Sequence, residues 1–227
     1  MTTHLQNIAN KIIPIIKNII MPKNKFVFDN NEYNYCVNKN SWATERTIEI
    51  PIILKALDKN KRILELGNVL FQYVKVTWDV VDKYETGKNV INVDIVNFKP
   101  KEKYDLIVSI STLEHIGFNE NVGVGETFIN KKDSNKTIKA INSLKTNCLK
   151  PHGKIIATMP LGYNKDMDIK LLNSELGFDK LVFYKRISFL NLWKEVKKEE
   201  IVNPQYNYPF TCANYICIGI FKNKETL

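Results

Sequence analysis

Short apolar runs that end in an acidic or polar residue recur along the chain, and the first of them sets the pattern. In Lys61–Gly67 (KRILELG), Ile63, Leu64 and Leu66 form the apolar run expected of a strand buried on both faces of a parallel sheet. Glu65 and Gly67 sit where that strand would end. Trp78–Asp82, Val90–Asp94 and Tyr104–Ser111 repeat the unit, and Lys154–Met159 is a fifth strand. Leu181–Lys185 and Asn214–Phe221 read as two late strands. Helical patterns are expected over Ile12–Met21, from Thr44 to Asp58, over Thr137–Leu149 and over Leu190–Lys198. The Asn- and Tyr-rich stretch 29–40, the Gly- and polar-rich stretch 117–135 and the aromatic stretch 203–210 read as loops.

This alternation predicts an α/β chain forming one domain over residues 1–227. A helical N-terminal extension (1–58) precedes a core (59–227), with no internal repeat or linker. In open α/β sheets, ligands bind outside the carboxyl ends of the strands, where strand order reverses. Those ends carry Glu65, Asp82, Asp94 and Ser111, so a nucleotide-type cofactor site is expected there. Gly67 would let the backbone turn tightly against a ligand. Asp82, 15 positions after Gly67, suits hydrogen bonding to ribose hydroxyls, or it simply caps a turn.

Composition changes this picture little. The net charge of +9 raises nucleic acid as a partner, but the lysines are spread along the chain. The dense run Lys194–Glu200 alternates in sign, as a solvated helix face does. Cys36, Cys148, Cys212 and Cys217 form no CxxC pair and cluster with no histidines, so no metal site is expected. Four scattered thiols suit a reducing compartment, and a cytoplasmic location is expected. Ile12–Met21 is apolar but short and is interrupted by Pro14 and Lys17, so no transmembrane segment is expected.

His115 follows the fourth strand directly, at the mouth of the expected crevice, and is either structural or a proton acceptor. Glu114 beside it could orient the ring or face the cofactor. On the helix before the first strand, Arg46 and Glu49 are spaced i, i+3. They form a surface ion pair or a polar face that closes over the cleft. Tyr163 follows the fifth strand, and with Arg46 and Glu49 it is a candidate for acceptor contacts.

Taken in order, ILELG, VVDKYE, VDIVNF, YDLIVSISTLEHIG and LKPHGKIIATMP resemble the successive motifs of class I S-adenosylmethionine-dependent methyltransferases. The resemblance covers about residues 60–160. It implies a doubly wound, mostly parallel seven-stranded sheet, the Rossmann-like methyltransferase fold, with a final antiparallel hairpin. It implies S-adenosyl-L-methionine as cofactor, with Glu65, Gly67 and Asn68 along its methionine end. Asp82 would hold the ribose, Asp94 and Ile95 the adenine, and Ser111 the sheet side of the cleft. The family's acidic-x-Gly-x-Gly-x-Gly pattern is altered here, because Val69 and Phe71 stand at the second and third glycines. That leaves the backbone less room against the cofactor.

GNVL, TERTIEIP and ISTLEHIG are similar to methyltransferase domains associated with glycan assembly. The expectation is therefore O-methylation of a sugar hydroxyl on a glycan or glycan precursor, with His115 as general base. Alternatives are a nucleic-acid or protein methyltransferase and a non-catalytic domain of the same fold. Neither oligomeric state nor the hydroxyl methylated follows from the sequence.

Overall fold

A computed structural model describes residues 25–118 and 133–224. Strands β1 (Lys25–Phe28) and β2 (Asn31–Asn34) pair as a hairpin across Asp29-Asn30. Both turn residues have positive φ (51° and 60°), the geometry that two-residue hairpin turns prefer and that Asp and Asn tolerate. The stretch expected to be loop from residue 29 is therefore partly strand. The apolar segment Ile12–Met21 lies outside the described residues.

Helix α1 (Arg46–Ala56) follows. Thr44 Oγ1 accepts from the Arg46 amide at its start, at 3.3 Å. Pro51 lies inside this helix and has no N–H to offer the Thr47 carbonyl. The Cys36 amide donates to that carbonyl instead, at 2.8 Å, and Thr47 Oγ1 donates to the Cys36 carbonyl at 2.8 Å. The proline thus frees an acceptor that ties the post-hairpin segment to the helix.

The main sheet comprises β3 (Ile63–Leu66), β4 (Asp79–Asp82), β5 (Val90–Asn92), β6 (Tyr104–Ile110), β7 (Leu149–Pro160), β8 (Lys180–Arg186), β9 (Trp193–Val196) and β10 (Tyr215–Lys222). Its order is β5-β4-β3-β6-β7-β10-β8-β9. Pairs from β5 through β7 are parallel, and those from β7 through β9 are antiparallel. The chain runs outward from β3 to β5, then returns to place β6 on the other side of β3. The switch point lies between β3 and β6.

Helices α2 (Lys136–Ser143) and α3 (Lys165–Leu172) pack on one face, where Ala140, Ile141, Met167 and Leu171 meet Leu64, Leu66 and Ile107. Helix α1 and the β1–β2 hairpin cover the other, where Ile48, Ile52, Phe26 and Phe28 meet Val108, Ile156 and Ile218. Two buried faces explain the near-continuous apolar strands. The connection from β3 to β4 carries one short 3-10 turn, Leu70–Gln72, in place of a crossover helix.

Two expectations need correction. The sheet has eight strands rather than seven, and Leu190–Lys198 is not helical. Its centre is the edge strand β9, paired antiparallel with β8. The hairpin closes through the Ile187 amide on the Leu192 carbonyl, with Asn191 at φ 61°. The Trp193 indole donates to Asn191 Oδ1 at 2.8 Å, and the Trp193 amide donates to the Tyr35 hydroxyl at 3.1 Å. These anchors fix an extended segment whose alternating charges suit a solvated strand edge as well as a helix face. Lys150–Gly153, between the expected helix and the expected fifth strand, forms an irregularity within β7, with His152 at φ 58°. Among the described residues no helix is long and apolar enough to cross a membrane.

Buried Asp168 in α3 accepts from the Gly162 amide at 2.8 Å, and burial pushes its carboxyl up to about 6. A carboxyl raised above its unfolded value of about 3.9 favours folding while neutral. That contribution is full below about pH 4 and is lost as pH rises through about 6. Asp168→Asn keeps the acceptor but cannot ionise. Its stability gain over wild type should grow from near zero at about pH 4 to as much as ~3 kcal/mol at neutral pH. Denaturant unfolding across that range measures it, and a pH-independent difference would contradict it.

Candidate active site

Glu65 ends β3 fully buried, and its carboxylate is spanned by three donors. Oε1 accepts from the Val69 and Leu70 amides, each at 2.8 Å, and Oε2 accepts from the Trp78 indole at 3.1 Å. Burial pushes its carboxyl up, and those three hydrogen bonds oppose the shift. Glu65 does not line the cavity beside it. It shapes the turn that does.

Within that turn Gly67 has φ 84°, and an added Cβ would stand 2.1 Å from Thr112 Oγ1. Both the conformation and the contact require glycine. Val69 has φ −100°, which any residue adopts, and Phe71 is 54% exposed. Phe71 lies outside the space above the turn, whereas Val69 forms part of its wall.

That space is a cavity of about 300 Å³ at the carboxyl ends of β3, β4 and β6. Of the sequence candidates, Gly67, Asn68, Asp82, Asp94, Ile95, Ser111 and His115 line it. Asp82 Oδ1 accepts from the Tyr84 and Glu85 amides at 2.8 Å, so it caps a turn and also forms part of the wall. Asn68 Nδ2 donates to Glu85 Oε2 at 2.9 Å across the mouth. Asp94 pairs with Lys136 at 2.7 Å and Lys83 at 3.5 Å. Burial raises its carboxyl, but the Lys136 hydrogen bond, the Val96 amide and the lysine charges outweigh it and hold the group below the usual range. Ile95, Val81 and Val93 give an apolar strip between these acids.

Arg46 and Glu49 lie behind the cavity. Glu49 is fully buried, ion-paired with Arg46, and accepts from Ser111 Oγ and Thr158 Oγ1, each at 2.6 Å. The pair is neither a surface pair nor an open polar face, because it pins α1 to the ends of β6 and β7. Ser111, at φ 40°, therefore turns its hydroxyl to Glu49.

His115 sits at the rim, half-exposed, in a short turn over Leu113–His115. Its ring contacts Tyr163 edge-on at 4.7 Å, and Tyr163 also meets Phe118 at 5.5 Å and Tyr206 at 5.3 Å. Burial and the Arg46 charge lower the imidazole's pKa, which favours the neutral ring at neutral pH. Sequence reasoning passed over Lys83, Lys136, Thr112 and Thr158, none of which carries a local signal. Tyr206, within the aromatic stretch 203–210, was legible only as part of a loop. Among the described residues no group of three or more His, Cys, Asp or Glu is placed to hold a metal ion.

No family model matches the chain, and no curated protein matches it. Solved structures similar in fold include the N-methyltransferase NodS from Bradyrhizobium japonicum in complex with S-adenosyl-L-homocysteine. That likeness is 14% identical, covers 73% of this chain and 79% of that one, and has a TM-score of 0.44. A S-adenosylmethionine-dependent methyltransferase from Clostridium acetobutylicum is 15% identical, with 95% and 99% covered and a TM-score of 0.39. A Thermus thermophilus 16S rRNA methyltransferase, in complex with AdoMet and guanosine, is 8% identical, with 89% and 45% covered and a TM-score of 0.42. Scores this low leave the strand order and the cavity residues to carry any functional reading.

Gly67→Ala should destabilise the fold by about 1–3 kcal/mol, the cost of strained left-handed backbone, whereas Val69→Gly should cost about 1 kcal/mol or less. Thermal unfolding of the two variants checks this. Equal losses would contradict the assignment of the turn to Gly67 alone.

Proposed function

We propose that the chain is an S-adenosylmethionine-dependent methyltransferase that transfers the methyl group to a sugar hydroxyl of a glycan or glycan precursor, with His115 as general base. The observation that carries this reading is the cavity at the switch point. There a glycine-only turn, the strand-end acids Asp82 and Asp94, and a half-exposed imidazole meet in one space. Open α/β sheets bind ligands at that position.

The residues fit the cofactor chemically. Gly67 lets the backbone approach closely, Asp82 offers a carboxylate for ribose hydroxyls, and Ile95 and Val81 offer an apolar wall for a base. When bound, S-adenosylmethionine supplies a methyl group already activated on a sulfonium. Work left to the protein is alignment and proton removal. A sugar hydroxyl is a weak nucleophile at neutral pH, and an imidazole held neutral can accept its proton as the carbon–oxygen bond forms. The rings of Tyr163, Phe118 and Tyr206 beside His115 give an apolar platform against which a sugar's carbon face can lie. The open cavity counts against the non-catalytic alternative.

Incubation with methyl-labelled S-adenosylmethionine and a panel of sugar acceptors tests the reading. His115→Ala should lower turnover by about 10²–10⁴-fold, far more than any change in cofactor affinity measured alongside it. Undiminished transfer by the variant would remove His115 as the base. Transfer to RNA, DNA or protein alone would replace the acceptor class.

A further inference from the structure

Glu114 precedes His115 and is 2% exposed, yet among the described residues its Oε2 atom has no hydrogen-bond partner. The turn that carries it is clamped from the side, since Asn164 Nδ2 donates to the Glu114 carbonyl at 2.9 Å and Asn164 is itself buried. The other carboxyl oxygen, Oε1, stands 3.7 Å from His115 Nε2, just beyond hydrogen-bond length. A buried carboxyl left with one empty oxygen is costly for a fold to keep, and such groups call for an explanation. Its nearest described titratable neighbour on the cavity side is the imidazole.

We propose that Glu114 is a positioning residue for His115: its carboxyl closes onto Nε2, fixes which ring nitrogen faces the acceptor, and balances the charge the ring gains when it takes the acceptor's proton. In the transfer, the acceptor's O–H bond breaks, its oxygen bonds the methyl carbon, and the carbon–sulfur bond breaks. The sulfonium becomes a neutral thioether, and the proton goes to the ring. Positive charge thus moves from sulfur to imidazolium, toward Glu114. Among the described residues, the other charged or titratable groups near this pair are Glu45 just before α1, Arg46 and Glu49 from α1, Tyr163 against the ring, and Tyr206 from the segment before β10. Glu49 is already held by Arg46, Ser111 and Thr158, and Glu45 Oε2 by the Ala213 amide at 3.2 Å. Among the described residues, Glu114 remains the carboxyl with capacity for the ring. Burial pushes it well above the usual range, and the Glu45 and Glu49 charges add to that. It therefore rests neutral, its Oε1 accepting from Nε2–H so that Nδ1 is left to take the acceptor's proton; beside the imidazolium it ionises by releasing its own proton to solvent.

This assignment rests on His115 as the base, but its test needs no acceptor. The chain has three histidines, so ring-labelled protein can be titrated by NMR, with His115→Asn assigning the resonance. Glu114→Gln should lower the His115 midpoint by about one pH unit, since the variant removes the carboxyl that, among the described residues, stands at Nε2. Its affinity for S-adenosylmethionine should be unchanged, because Glu114 does not line the cofactor cavity. If Glu114→Gln does not fold, the Glu114 carboxyl can be followed in His115→Asn, where its titration should shift relative to wild type. Unshifted midpoints in these variants would overturn the pairing and leave the methyltransferase reading intact. Absence of cofactor binding by wild type would overturn that reading and leave the titration interpretable.

Discussion

The Glu65 carboxylate, buried at the end of β3 and accepting three N–H groups, is the constraint on which the site depends. It takes the amides of Val69 and Leu70 and the indole of Trp78, so the chain after β3 must fold back over its own strand end. That reversal is what puts Gly67 at φ 84° with Thr112 against it, and so opens the cavity floor. A short side-chain-held turn does here what a crossover helix does in more regular α/β units. Leaving any of those donors without the carboxylate would strand a buried polar group, at about 1–3 kcal/mol each.

A second buried acid does the same on the face covered by α1. Glu49 joins α1 to the ends of β6 and β7 through Arg46, Ser111 and Thr158. The helix is almost wholly buried from Thr47 to Ile53, so apolar residues lie on nearly all of its sides. Its position behind the rim also brings the Arg46 charge near His115, lowering the ring's affinity for protons. Packing and electrostatics at the site thus share one origin in α1.

Much of this was legible in the sequence, because a parallel strand buried on both faces leaves a short apolar run and its end leaves a polar residue. Strand ends at Gly67, Asp82, Asp94 and Ser111 therefore predicted four of the residues that meet in the cavity. Partnerships formed across long separations leave no such trace: Glu49 with Thr158, or Asp94 with Lys136, has no periodicity to read. Trp193–Val196 was mistaken for helix because alternating charges fit both an exposed helix face and an edge strand, and the Asn191 turn decides between them. Glu65 was expected along the cofactor, but its neighbours in the turn leave it no oxygen facing the cavity. Of the two altered glycine positions, Phe71 lies outside the cavity wall and Val69 is part of it, a difference that a pattern of residue types does not record.

Calorimetric titration with S-adenosylmethionine and with S-adenosylhomocysteine tests whether the cavity above Gly67 holds the proposed cofactor. The prediction is micromolar binding of both, weakened at least about tenfold, ~1.4 kcal/mol, by Asp82→Ala in a variant that still folds. No binding by the folded wild-type chain, or binding indifferent to Asp82, would contradict it.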